Sequence, residues 1–252
     1  MSRRYRTPLL LLALLLAVLP LREARPQGLA ADISAHLIAI TTAFVGTTVT
    51  LFGVSDASNE IVVTMIGPRD EQVVRRKDQI AGIWVNADEM TFRNVPTFYF
   101  VASSRPIEQI THPDVQARLE LGLQHLNVQP VDVEGREISE IAAFEDALIR
   151  NKQRMNLYVD EVGAVRFVGD QLFRTDVDFP ANVPPGIYQV QVFELVGGQV
   201  TDAQRSTLVI SKIGLEAEVF DFAHAQAPLY GIAAIVISIA AGWLAAVIFR
   251  RG

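Results

Sequence analysis

The chain has 252 residues, half of them hydrophobic, with a formal net charge of −6 and no cysteine. The missing cysteines exclude disulfides, thiol redox chemistry, cysteine nucleophiles, thiolate metal sites and lipoprotein-type acylation, so a secreted domain here must rely on its core. Residues 1–30 hold five arginines against one glutamate and the C-terminus two more arginines, which leaves −12 on the stretch between them; that acidity argues against nucleic acid and permits polycations, metal ions or a basic protein surface.

Arg3, Arg4 and Arg6 precede an apolar run from Leu9 to Leu19 that Pro20 closes. A positive segment before an apolar run too short to cross ~30 Å of hydrocarbon reads as a signal peptide over residues 1–30, with an uncleaved N-terminal anchor as the alternative. Gly28, Ala30 and Ala31 offer small residues for cleavage and put the mature start near Ala31 or Asp32.

Residues 31–227 form the ectodomain. Ile33, Ala35, Leu37 and Ala39 alternate as a strand does, and Val49–Val54, Glu60–Ile66, Ile80–Val85 and Phe98–Val101 are β-branched or aromatic runs. Turn residues are expected at Ser55–Asn59, Gly67–Asp70 and Asn86–Glu89. The middle, at about 112–155, predicts a helical hairpin. Its first helix opens at Pro113 with Val115, Leu119, Leu123 and Leu126 on one face and Thr111 or His112 as cap. Its second carries an Ile138, Ile141, Phe144, Leu148 stripe, with acidic residues early and Arg150, Lys152 and Arg154 late, as the helix dipole favours.

The β pattern returns in Val165–Val168, Leu172–Val177, Ile187–Leu195 and Arg205–Ile210. A Pro-Pro-Gly turn leading into Tyr188, Val190 and Val192 on one face resembles a late strand of an immunoglobulin-like sandwich, where a tyrosine near the strand start pins a corner. The fold class expected is therefore mainly β, an immunoglobulin-like sandwich with an inserted helical hairpin, favoured over two small sandwiches flanking it.

No constellation demands a chemistry. His36, His112, His125 and His224 lack metal-ligand spacing, and His112-Pro113-Asp114 lacks the helices that would give that tripeptide meaning. Among the close carboxylates, Asp88-Glu89, Asp160-Glu161, Asp176 with Asp178, and Glu216 with Glu218, the third pair shares one strand face, where a solvated strand is the plainer explanation. Arg75, Arg76 and Lys77 are a basic cluster blunted by Asp70, Glu71 and Asp78. Phe92, Phe98, Tyr99 and Phe100, with Trp84 nearby, could line a groove but fit an aromatic core more simply. No catalytic, cofactor or metal residue is assigned.

Residues 228–249 read as one transmembrane helix: Leu229–Phe249 is uncharged and long enough to span. Arg250 and Arg251 then place the three-residue tail, 250–252, in the cytoplasm and the ectodomain outside. Ala234, Ser238, Gly242 and Ala246 recur every four residues as a small-residue stripe suited to a helix–helix interface, with chance in an alanine-rich span as the plain explanation.

The runs Ile40–Gly53, Ala81–Asn86 and Phe92–Pro106 resemble those of a family of single-pass transmembrane proteins of alphaproteobacteria. The resemblance covers nearly the whole chain and carries no activity or functional residues with it. It implies a Gram-negative inner membrane, a periplasmic ectodomain and association with sulfite-exporter-like permeases of the TauE/SafE type. The function expected is a non-enzymatic, membrane-tethered periplasmic accessory or interaction protein, partnering a permease or a second copy of itself. The alternatives are a periplasmic solute or metal-ion binding domain feeding a transporter and a metal-dependent hydrolase.

Overall fold

A computed structural model describes residues 28–80, 82–131, 133–159, 161–213, 223–224 and 226–249. The expected signal peptide up to residue 27, Asp160, Glu216 with Glu218, and Arg250 with Arg251 lie outside the described residues. The chain is mainly β. Its strands are β1 (Ala30–Ile33), β2 (Leu37–Ile40), β3 (Gly46–Val54), β4 (Glu60–Ile66), β5 (Arg69–Ile80), β6 (Ile83–Pro96), β7 (Tyr99–Ser103), β8 (Gln129–Pro130), β9 (Gly163–Ala164), β10 (Arg166–Val168), β11 (Leu172–Pro180), β12 (Gly186–Val196) and β13 (Gln199–Lys212). The helices are α1 (Ile107–Ile110), α2 (Pro113–Leu119), α3 (Ile138–Arg154) and α4 (Ala227–Phe249).

One sheet runs β1-β3-β11-β10 and a second β2-β13-β12-β4-β7-β9. Alternation explains how they face each other. Along β11, Phe173, Thr175, Val177 and Phe179 are buried while the residues between them are exposed, and along β12 Tyr188, Val190 and Val192 are buried likewise. These inward faces meet in one core, in which Phe98 stacks on Phe179 at 4.9 Å and both rings contact Tyr188. Strands from both halves of the sequence enter both sheets. The order β1-β3-β11-β10 and the β13-β12-β4 portion of the six-stranded sheet run as A-B-E-D and G-F-C do in an immunoglobulin-type sandwich, with β2, β7 and β9 added. The Tyr188 hydroxyl donates to the Pro184 carbonyl at 2.6 Å, the corner-pinning bond expected of that position; burial pushes its phenol up to about 12.

Three expectations are corrected. Ile33 to Ala39 is not one strand: β1 pairs antiparallel with β3, β2 pairs parallel with β13 in the other sheet, and the crossing between them reverses the pattern, so that Leu37 is exposed and Ile38 buried. The helical hairpin is absent in that form. With His112 as its cap, α2 stops at Leu119 because Glu120 turns left-handed (φ 53°), and Leu123–His125 form only a 3-10 turn. The hairpin's second helix does form, as α3, although Ile138, assigned to its apolar stripe, is 85% exposed.

The third correction concerns β5 and β6. A turn was expected at Gly67–Asp70, yet the β4–β7 ladder runs through it unchanged. Ile66 faces Tyr99 and Arg69 faces Pro96 in the same register, while Gly67 N–H donates to the Phe98 carbonyl (2.9 Å) and Thr97 N–H to the Pro68 carbonyl (2.8 Å). A Cβ on Gly67 would stand 2.7 Å from Thr97 Oγ1 and 3.0 Å from Phe98 N, so the passage needs glycine. Asn86–Glu89 are strand, and the reversal falls after Ile80, with Gly82 at φ +84°. The result is a long β arm, β5 with β6, that continues β4 and β7 beyond the end of the sandwich.

Tyr188→Phe removes the corner bond and leaves a carbonyl short of a donor. It should destabilise the chain by about 1 kcal/mol in denaturant unfolding with no change of slope; unaltered stability would mean the corner holds nothing.

Candidate functional site

The arm is built from residues that a buried strand would not tolerate. One of its faces is solvated, so charged side chains can occupy it, and opposite charges meet across the strands. Arg75 Nε lies 2.9 Å from Glu89 and Arg93 Nε 3.1 Å from Glu71. On its covered side Val74, Met90, Phe92 and Val95 form a second apolar core with Phe144 and Leu148 of α3. The helix thus lies along the arm as a brace.

An ion-pair network fastens the N-terminal end of that brace. Arg136 grips Asp88 with both terminal nitrogens (3.0 and 2.9 Å), donates to the Glu89 carbonyl at 2.9 Å and reaches Glu140 at 3.4 Å. Arg76 adds a contact to Asp88 at 3.2 Å, and both guanidiniums sit within 5.6 Å of the Phe144 ring centre. The hydrogen-bonded Arg136 guanidinium holds the Asp88 carboxyl down at about 2. At the other end of α3, Lys152 is only 5% exposed. Burial lowers its pKa below the ordinary lysine value, with the Asp70 carboxylate working the other way.

The base of the arm is clasped to the segment after α2. Arg69 pairs with Glu120 and donates to the Asn94 carbonyl at 3.1 Å. Asn94, itself at φ 62°, donates to the Asn127 carbonyl at 2.6 Å, and Asn127 N–H to Glu120 at 2.9 Å. Tyr99 runs beneath this clasp, donating to the Glu120 carbonyl (2.6 Å) and accepting from Gly122 N–H (2.7 Å); burial raises its phenol pKa. A depression of about 600 Å³ lies over the clasp, and a second, of about 660 Å³, lies beside the Arg105–Glu60 ion pair at the opposite end of the sandwich.

The tip lies beyond the brace. Lys77 faces Asn86, Asp78 faces Val85, Gln79 faces Trp84 and Ile80 faces Ile83. Ile83 is 67% and Trp84 66% exposed, whereas Phe92, Phe98, Tyr99 and Phe100 are buried in the two cores. Trp84 is therefore the member of the aromatic group that stands outside.

Arg75 and Arg76 of the basic cluster meet Glu89 and Asp88, and the described histidines lie on separate elements. His36 pairs with Asp32 at 3.0 Å in the β1–β2 crossing, His112 lies 3.3 Å from Asp114, and His125 contacts Gln116 at 3.2 Å. His224 lies just ahead of α4. Asp176 and Asp178 accept from Thr50 and Thr48 across the strands at 2.6 Å, which makes them a solvated cross-strand ladder. Among the described residues no three Asp, Glu or His side chains gather as a metal site. Sequence reading missed Glu194, buried beside Ser55 Oγ (2.5 Å) and Asn59 Nδ2 (2.9 Å), because a glutamate in the apolar run Val192–Leu195 gives no sign of its partners in the distant β3–β4 loop.

In α4, Ala227–Val247 has a mean hydropathy of 2.1 and is long and apolar enough to cross a membrane. Ala234, Ser238, Gly242 and Ala246 share one face at their four-residue spacing, and the Ser238 hydroxyl donates to the Ala234 carbonyl at 2.8 Å within its own helix. A Cβ on Gly242 would meet nothing within 4 Å.

A carboxyl held below its ordinary value contributes stability above about pH 4, and that contribution is lost as pH falls through about 2. The Asp88 carboxyl should accordingly titrate near 2 by NMR, and Arg136→Ala should move its midpoint up toward the usual aspartate value of about 4. A wild-type midpoint already near 4 would dissolve the network as described.

Among solved structures, a family 123 glycoside hydrolase from Clostridium perfringens, described in connection with glycolipid glycan hydrolysis, aligns with 74% of this chain at 9% identity and a TM-score of 0.26. The chain spans 28% of that enzyme's length, and the likeness is too slight to carry any inference. No curated protein matches. A family model described as "Putative transmembrane protein (Alph_Pro_TM)" matches residues 28–251, taking in sandwich, arm and span together, and the chain belongs to that family.

Proposed function

We propose that this chain is a non-enzymatic accessory protein of the bacterial inner membrane, with an immunoglobulin-like periplasmic ectodomain, a cytoplasmic C-terminus and an integral membrane protein, a permease of the TauE/SafE type, as partner. The observation that carries the reading is where the arm stands. β13 ends at Lys212, and its Ile210 lies opposite Gly186 at the start of β12. The arm begins just past Ile66, which lies opposite Gln189 of the same strand. The projecting element and the exit toward α4 thus share one end of the sandwich, so the arm works close to the bilayer. Confinement beside a partner raises its effective concentration without any new contact. The small-residue face of α4, at Ala234, Ser238, Gly242 and Ala246, supplies a surface along which a partner helix can approach.

Mild solubilisation of native membranes should recover the chain with an integral membrane protein, and Gly242→Leu should weaken that association severalfold while leaving the ectodomain folded. A chain that is monomeric and partner-free under those conditions would overturn the reading.

A further inference from the structure

Resting on that reading of the arm as an element held over the membrane, we propose that its tip enters the lipid surface itself. In this arrangement Ile83 and Trp84 insert into the leaflet facing the ectodomain and give the protein a second membrane contact besides α4. Both side chains stand in water at the end of a ribbon that extends beyond its brace: Glu140 of α3 reaches Arg76 and Arg136 just ahead of the helix reaches Asp88, and the four pairs from Lys77–Asn86 to Ile80–Ile83 project about 13 Å further. Geometry lets the tip arrive. The arm from Arg69 to Ile80 measures about 36 Å along its strands, and residues 213–226 between β13 and α4, of which 223–224 are helical, have a chain length of at most about 43 Å, so the tether is long enough for the arm to touch the bilayer.

Chemistry favours lipid over protein at this point. Two apolar side chains on a narrow ribbon bury far less surface than a stable protein interface requires, whereas an indole and an aliphatic side chain are the residues that settle at the boundary of headgroups and acyl chains. Charge does not oppose the approach. Arg75, Arg76 and Lys77 cancel Asp78, Asp88 and Glu89 along the outer arm, which makes it a neutral stretch of an acidic ectodomain. Insertion is then apolar in origin and should be similar on zwitterionic and anionic bilayers.

The test uses the full chain in nanodiscs of phosphatidylcholine, with Trp243→Phe leaving Trp84 as the sole tryptophan. Blue-shifted Trp84 emission, quenched by brominated acyl chains and shielded from aqueous iodide, is the expected result. Ile83→Asp should shift the tip toward water by on the order of tenfold or more. Water-exposed emission without lipid quenching, in phosphatidylcholine and in mixtures with phosphatidylglycerol, overturns the proposal. Should the tip be exposed in pure lipid yet protected in native membranes, the occupant is a protein: the lipid inference falls and the accessory reading stands. Lipid quenching in a chain that captures no membrane partner has the opposite meaning, sustaining the inference and removing the accessory reading.

Discussion

Everything distinctive in this molecule depends on a ladder of backbone hydrogen bonds that fails to end where the sandwich ends. In a sandwich of this kind the β4–β7 pair would close in a short turn near Pro68. Here the register passes Gly67 and Thr97 without a slip, and a two-stranded ribbon continues from it. The constraint is steric: the strands approach so closely at Gly67 that any side chain there would strike Thr97 and Phe98. An isolated ribbon is marginal in water, so the chain supplies the brace that α3 provides, sealed by Phe144 and Leu148 at the centre and by the Arg136–Asp88 network at its outer end.

The inserted segment takes its meaning from that need. The left-handed residues Asn94 and Glu120 meet in one clasp with Arg69 and Asn127, and the buried Tyr99 hydroxyl ties the clasp to the sheet beneath. Backbone held in a sparsely populated region persists where surrounding bonds over-determine it. Much of the polar chemistry on this face ties the base of the arm to the segment after α2. The arrangement joins a projecting element to an apolar helix in one chain.

How much of this was legible follows from the kind of signal each element carries. β11 and the first half of β12 alternate because one face meets the core, and α4 is marked by uninterrupted apolarity; these were readable. The tyrosine corner was readable because its turn and spacing are local. The arm was not. One side of its strands is solvated and the other is covered by α3 at only a few positions, so Arg69–Gln79 shows charge in place of alternation, and Gly67-Pro68 carries turn chemistry that the tertiary ladder overrides. A cross-strand rule relating Arg75 and Arg76 to Glu89 and Asp88 would have revealed the hairpin, since opposite charges at matching distances from Gly82 are its signature. The short α2 escaped because Leu123 and Leu126 keep helical spacing in sequence while Glu120 and Gly122 break the helix in space. Trp84, grouped with aromatics that proved to be core, stands outside because its strand has left the sandwich by that point.

The arm projects from the end of the sandwich at which β13 leaves toward α4. Spin labels at Ala57→Cys, in the loop before β4, and Gln79→Cys, at the tip, test it in a chain that has no native cysteine to interfere. With about 3.3 Å per residue from Glu60 at the start of β4 to Gln79, the interspin distance should lie at about 60 Å. A distance of about 30 Å or less would mean that the hairpin folds back upon the sandwich, and the arm would then have no part at the membrane.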